Sequence, residues 1–162
     1  MRKNYYQGDT TKMNVREATI DDLPVLLDFE QNIIESERPY DVYIKENDVT
    51  YYDLPQLLSD SESIVVVMES SGGIVGCGYA QIKDSKPCLT HDKHCYLGFI
   101  YLEPEYRGKA LGKHILESLK AWGLNKGMKH FQLGVYSDNE GAIRAYEKAG
   151  FGKVSVLMEM VV

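Results

Sequence analysis

The chain has 162 residues, which suits one domain with a core of its own. Apolar residues make up 44% and charged residues 26%, a globular balance that excludes a disordered chain, a collagen-like repeat and a coiled coil. The formal net charge of −6, from 18 Lys and Arg against 24 Asp and Glu, argues against a nucleic-acid partner, since phosphate contacts need a basic face.

Residues 1–13 read as a polar, flexible tail, and residues 14–162 as the domain. The tail lacks the apolar stretch of a secretory signal. No run approaches the ~18 apolar residues of a membrane span, so no membrane partner is expected. Residues 15–18 form a short strand. Thr19 and Asp22 have capping-box spacing, and Pro24 suits a first helical turn. Leu23, Leu26, Leu27, Ile33 and Ile34 then predict an amphipathic helix over 20–35. A polar, aromatic loop follows, with a short helix over 53–59. The β-branched run 64–68 and the run 74–82 flank Ser71-Gly72-Gly73 and predict a hairpin. Residues 96–102 predict a buried central strand, in which Gly98 marks a bulge or a close backbone approach.

Leu111, Ile115, Leu119 and Trp122 share a helical face over 110–125, and Gly127 ends that helix. A strand is predicted over 131–136. Ser137-Asp138-Asn139-Glu140 opens a helix to Ala149, and 154–161 is a final apolar strand. Strands and helices in this order predict a mixed α/β sheet. The cysteines Cys77, Cys88 and Cys95 are sparse and odd in number, which fits reduced thiols in the cytoplasm. Cys88, His91, His94 and Cys95 are possible zinc ligands, but their spacing misses the usual finger patterns, so no metal is expected.

The segment from Tyr101 to Lys113 carries the clearest chemistry. A buried strand ends, a basic turn with Gly108 follows, and a helix begins. Such a turn aims backbone N–H groups and a helix dipole at one point, where an anion can bind. Arg107, Lys109 and Lys113 add positive charge in an acidic chain. It is not a P-loop: Gly108 and Gly112 are separated by three residues rather than the four required, and His114 stands where a hydroxyl should.

This segment resembles the acetyl-CoA loop of the GNAT N-acetyltransferase superfamily, Q/R-x-x-G-x-G/A. Arg107 and Gly112 match its ends, and Ala110 replaces the middle glycine. Ala is tolerated there if the position is helical. Arg16-Glu17-Ala18-Thr19 with Asp22-Leu23 resembles the family's opening strand and helix. Asn139, Ala142, Tyr146 and Gly150-Phe151 match its late N-x-x-A-x-x-x-Y-x-x-x-G-F signature. The resemblance spans residues 14–160. It implies a GNAT-like, acyl-CoA N-acyltransferase fold, with a mostly antiparallel central sheet of six to seven strands and about four flanking helices.

The implied cofactor is acetyl-CoA. Its pyrophosphate would rest on Arg107, Gly108, Lys109, Ala110, Leu111, Gly112 and Lys113. Its pantetheine would run along the edge of Phe99, Ile100, Tyr101 and Leu102, with Asn139 and Ala142 beside it. Tyr146 would be the general acid and backbone N–H groups near the bulge the oxyanion donors. The family's usual Glu on the fourth strand is missing, since Gly98 or Phe99 stands there. His94 leads the candidate bases on its ordinary pKa, ahead of Tyr96, Glu30 and Glu35. The acidic loop from Glu35 to Asp41, with Tyr40 and Tyr43, suits a cationic acceptor. The expected activity is direct acetyl transfer to a primary amine of a small molecule or peptide. A catalytically weak acyl-CoA sensor of the same fold is the alternative. The apolar C-terminal strand and the twelve tyrosines offer a homodimer interface.

Overall fold

The computed structural model describes residues 13–162, so the tail expected over 1–13 lies, Met13 apart, outside the described residues. The elements are β1 (Asn14–Glu17), α1 (Leu23–Glu37), α2 (Leu54–Ser59), β2 (Ser63–Ser70), β3 (Gly73–Asp84), β4 (Lys93–Leu102), α3 (Gly112–Asn125), β5 (Phe131–Gln132) and α4 (Glu140–Lys148). They build one sheet in the order β1-β2-β3-β4-β5. β1 to β4 pair antiparallel, and β5 joins β4 in parallel.

α1 buries Leu26, Phe29, Glu30, Ile33 and Ile34, a stripe at helical spacing. Its entry is pinned from β1. Arg16 donates two bonds to the Asp22 carboxylate, at 2.8 and 2.9 Å, and a third to Glu69 at 2.8 Å. Asp22 also accepts from the Thr19 N–H at 2.8 Å, which completes the expected capping box. The Arg16 guanidinium holds the Asp22 carboxyl down at about pH 2.

Strand alternation sorts the β2 side chains cleanly. Val65 and Val67 face α1 and α2, while Val66 and Met68 face α3. On β4 the parity changes midway. Cys95 and Leu97 join the α3 core, yet Phe99 and Tyr101 join the α1 core. The cause is a bulge. Phe99 has φ 56, and the β3–β4 register slips between Cys77 and Tyr79. Gly98, beside it, lets the Tyr79 ring lie on the strand: a Cβ there would stand 2.6 Å from Tyr79 Cε1.

Four sequence expectations are corrected. Among the described residues the sheet has five strands, not six to seven. The strand predicted over 131–136 shortens to Phe131–Gln132, and residues 154–161 stay out of the sheet, with Val154 97% and Met158 87% exposed. Apolar alternation gives a segment a face to bury, but sheet membership needs a hydrogen-bonding neighbour, and no described residue supplies one here. The third helix starts at Gly112 rather than Ala110, because Ala110 is left-handed at φ 58. No helix among the described residues is long and apolar enough to cross a membrane.

Candidate active site

One wall of the site is made by backbone. β4 and β5 pair only through Cys95 with Phe131 and Tyr96 with Gln132. Beyond Tyr96 the strands part, and the outer edge of β4 from residue 97 to 102 has no strand beside it among the described residues. Phe99, Ile100, Tyr101 and Leu102 thus offer a free edge, the arrangement that accepts an extended amide chain as an added strand.

That edge runs through a 3-10 turn, Pro104–Tyr106, into the basic loop. The Arg107 Nε donates to the Leu102 carbonyl at 2.8 Å, and its guanidinium sits 5.5 Å over the Tyr101 ring. Lys109 Nζ lies 5.8 Å from the Tyr106 ring. Gly108 has φ 73, and nothing lies within 4 Å of a Cβ placed on it, so its backbone is open to a bulky ligand. Leu111 is buried and anchors the loop to the α3 core with Ile115 and Leu119, whereas Arg107, Lys109 and Lys113 stay exposed. Ala110 corrects the expectation of a helical position. Its left-handed backbone costs ~1–2 kcal/mol for a residue with a Cβ.

The other wall is made by side chains from distant segments. Tyr52 packs 4.8 Å from Phe99 and 5.4 Å from Tyr79, and Tyr79 lies 6.2 Å from Tyr96. Tyr40 stacks on Tyr136 at 5.8 Å. Burial raises the Glu37 carboxyl at the end of α1, and the neighbouring Tyr51 hydroxyl partly offsets this. Burial also pushes Tyr51 well above the ordinary phenol range, with Glu37 and Tyr136 adding to the shift. The Tyr51 hydroxyl is buried, and no partner meets full hydrogen-bond geometry. It therefore sits on polar neighbours without being committed to one.

Tyr146 projects from α4 into the same field. Burial, then the Glu37 charge and Tyr96, push its phenol up to about 12. Its hydroxyl makes no hydrogen bond to a described residue, and its ring meets Phe151 edge-on at 6.2 Å. Asn139 caps α4, its side chain accepting from the Ala142 N–H at 3.2 Å. The expected cap is present, and Asn139 and Ala142 both remain partly accessible.

The other candidates separate. Glu30 is fully buried and accepts from the N–H groups of Tyr51 and Tyr52 at 2.7 and 2.8 Å, so it holds the loop in place. Glu35 points outward, 65% exposed, and pairs with Arg38 at 2.9 Å. Arg38 also donates to the carbonyls of Ile44, Lys45 and Glu46, tying the acidic loop into a fold. His94 is buried near the start of β4, on the far side of Tyr96 from the parting. Its Nδ1 lies 3.0 Å from Ser85 Oγ. Burial, then His91 and Lys83, lower its pKa. His91 stacks on His130 at 3.7 Å, Cys88 is exposed, and Cys95 is buried, its thiol pushed up to about 11. Among the described residues no three His, Cys, Asp or Glu side chains could hold a metal ion. A cavity of about 390 Å³ between α2 and the end of α3 is lined by Leu57, Asp60, Trp122 and Lys126, away from Tyr146 and the basic loop.

Sequence reasoning missed Tyr51, Tyr52, Tyr79 and Tyr136 as site residues. The twelve tyrosines were the available signal, but nothing local distinguished these from core tyrosines.

Residues 28–151 match the acetyltransferase (GNAT) family, and the chain belongs to it. Over 58 residues it is 36% identical to the thialysine N-epsilon-acetyltransferase of Sus scrofa, covering 36% of this chain and 34% of that protein. An uncharacterised N-acetyltransferase of Methanocaldococcus jannaschii is 25% identical over 147 residues, 88% of this chain and 62% of that protein. The match thus spans about a third of the first relative's length and under two thirds of the second's. Among solved structures, a predicted acetyltransferase of Clostridium acetobutylicum, crystallised with acetyl-CoA, superposes with a TM-score of 0.74. It is 19% identical and covers 93% of this chain and 96% of that one. The fold is therefore that of the GNAT family.

Proposed function

We propose that this chain transfers acetyl from acetyl-CoA to a primary amine, by direct attack within a ternary complex. One observation carries the proposal: β4 and β5 part beside the basic loop, and Tyr146 and Glu37 share the adjoining field. Acetyl-CoA, when bound, supplies the acyl group as a reactive thioester. Arg107, Lys109 and Lys113 and the N–H groups of residues 107–113 would hold its pyrophosphate. The free edge of Phe99, Ile100, Tyr101 and Leu102 would pair with its amides, and Asn139 and Ala142 would flank it. Tyr146 keeps its proton at the phenol oxygen up to about pH 12, so it is a proton donor throughout the working range.

Glu37 supplies the attraction for an ammonium group and, with its carboxyl raised by burial, a proton acceptor as that group becomes a free amine. His94 is the other base in play. The tyrosine-lined, acidic wall suits a cationic acceptor, because aromatic faces and a carboxylate both favour positive charge. The similarity to thialysine acetyltransferases supports a lysine-like amine as the first acceptor to try. The free thiols of Cys77, Cys88 and Cys95 fit a cytoplasmic setting.

A second reading, an acyl-CoA sensor with little turnover, is favoured by the strained Ala110 and by Gly98 and Phe99 standing where the family's Glu would be. The two are separated by following CoA release with thialysine, lysine, spermidine and an aminoglycoside. Release with at least one amine, faster than hydrolysis without amine, supports transfer. Tight acetyl-CoA binding with no amine-dependent release supports the sensor.

A further inference from the structure

A cation stands on the acceptor side of the sheet, apart from the basic loop. Successive β3 residues alternate in face, and Tyr79 faces the α1 core, so Gln81 and Lys83 share that side. Lys83 is exposed near the end of β3, opposite His94 of β4. Its Nζ lies 4.4 Å from the centre of the Tyr96 ring, over its face. The adjacent carboxylate, Asp84, pairs with Lys93 instead, at 3.2 Å. Among the described residues Lys83 forms no ion pair and donates no side-chain hydrogen bond, so its ammonium donors are left for a ligand.

Tyr96 fixes where that ammonium stands. It is the last β4 residue paired with β5, opposite Gln132. Its hydroxyl reaches the chain just beyond that pair: a Cβ on Gly134 would stand 3.3 Å from it. The Tyr96 ring therefore lies where the strands part, and it continues the aromatic row of Tyr52 and Tyr79. The Tyr146 phenol is raised by burial first, then by Glu37 and Tyr96, which places it near both. Charge on this wall is thus divided. Glu37 stands on the Tyr51 side of the row, and the Lys83 ammonium on its Tyr96 side.

We infer that Lys83 binds the carboxylate of the acceptor, so that the acceptor is a free amino acid with a side-chain amine rather than a polyamine or an aminoglycoside. This rests on the acetyl-transfer reading. Glu37 attracts the ammonium that becomes the nucleophile. Lys83 holds the carboxylate at the other end of the molecule, and the rings of Tyr52, Tyr79 and Tyr96 lie against the methylenes between. The Tyr96 face keeps the Lys83 ammonium at the site before the acceptor arrives. A polyamine or an aminoglycoside would bring a further ammonium beside Lys83, a like-charge contact of the kind that rejects a wrong partner. The acidic residues alone would favour the most highly charged amine, and Lys83 reverses that order.

The test compares lysine with cadaverine, which is lysine without its carboxylate, on the full chain. Wild type is expected to prefer lysine by about tenfold or more in kcat/KM. Lys83→Met keeps most of the stem and removes the charge. It is expected to raise the lysine KM about tenfold with kcat within about twofold, because the carboxylate is held away from the reacting centre. The cadaverine KM is expected to fall, since a like charge is gone. Lys83→Arg restores most of the preference for lysine. Lysine methyl ester, on the unaltered protein, is expected to lose the advantage of lysine over cadaverine, and this arm decides even where a variant folds poorly. A second arm needs no turnover: calorimetric titration of lysine and of cadaverine into the chain saturated with CoA is expected to show the same dependence on Lys83. Lysine that binds through Lys83 and is never acetylated ends the acetyl-transfer reading and leaves this inference standing. Cadaverine or the methyl ester used as well as lysine overturns the inference and leaves acetyl transfer standing. A loss in Lys83→Met shared equally by lysine and cadaverine, or no binding of lysine to the CoA complex, also overturns it.

Discussion

The donor wall and the acceptor wall of this site are built in opposite ways. The donor wall is backbone and is nearly contiguous: the β4 edge from Phe99 to Leu102 runs straight into the loop ending at Lys113. The acceptor wall is side chain and is scattered. Glu37 comes from α1, Tyr51 and Tyr52 from the following loop, Tyr79 from β3, Tyr136 from beyond β5 and Tyr146 from α4. Backbone recognition tolerates change in side chains, so in the proposed function the donor wall would keep one ligand. Side-chain recognition can be remade by single substitutions, so the acceptor wall can be retuned to a new amine on an unchanged frame.

Substitutions can break this contrast at either wall. The largest effect is expected at Tyr146→Phe, which removes the proton donor and leaves the ring. kcat should fall about 100-fold, with the acetyl-CoA Kd within about twofold. Equal loss of binding and turnover would make Tyr146 a packing residue.

Glu37→Gln should lower kcat/KM for a cationic amine about tenfold, while a neutral acceptor analogue is affected far less. It should also abolish the acid limb of the kcat/KM profile, because deprotonated Glu37 is the active form and activity rises with pH through its pKa. If that limb survives in Glu37→Gln and disappears in His94→Ala, His94 is the base.

The acceptor wall depends on α1, whose entry is held by Arg16 and Asp22. The Asp22 carboxyl lies below its unfolded value, so its contribution is fully present above about pH 5 and is lost as pH falls toward about 2. The Arg16 side chain is 34% exposed, which screens the pair, so the loss should be roughly 1–2 kcal/mol. Urea titrations from pH 7 to pH 3 measure it, and Asp22→Asn should flatten this part of the pH dependence.

The smallest effect lies at the donor wall. Ala110→Gly relieves a left-handed alanine and should stabilise the fold by about 1 kcal/mol, after the entropy of the added glycine is offset. A Tm rise of about 2–4 °C is the readout. A fall in Tm would show that the Ala110 methyl packs favourably.

The same contrast explains what the sequence discloses. The basic loop was legible because its charge, its glycine and its place between strand and helix lie within one short stretch. The conformation of Ala110 was not, since alanine favours helix, whereas here it is left-handed beside buried Leu111. Gly98 marked the right place on β4, but the bulge falls on Phe99, and the change of face it produces depends on pairing with β3. Tyr79 and Tyr136 carry no local mark, because their role arises only when β3, β4 and α4 come together. The alternation of residues 154–161 could be read as a strand, but the segment stays out of the sheet, because pairing depends on a neighbour that the segment itself does not specify.

Thermal denaturation with acetyl-CoA, CoA or ATP, each at about a hundredfold excess over its Kd where it binds, tests the donor wall most directly. Binding to the folded state alone adds ~2.7 kcal/mol. For a domain of this size that raises Tm by roughly 5–10 °C. A rise with acetyl-CoA and CoA and none with ATP is the predicted result. No rise with acetyl-CoA, at concentrations up to the millimolar range, would contradict the account.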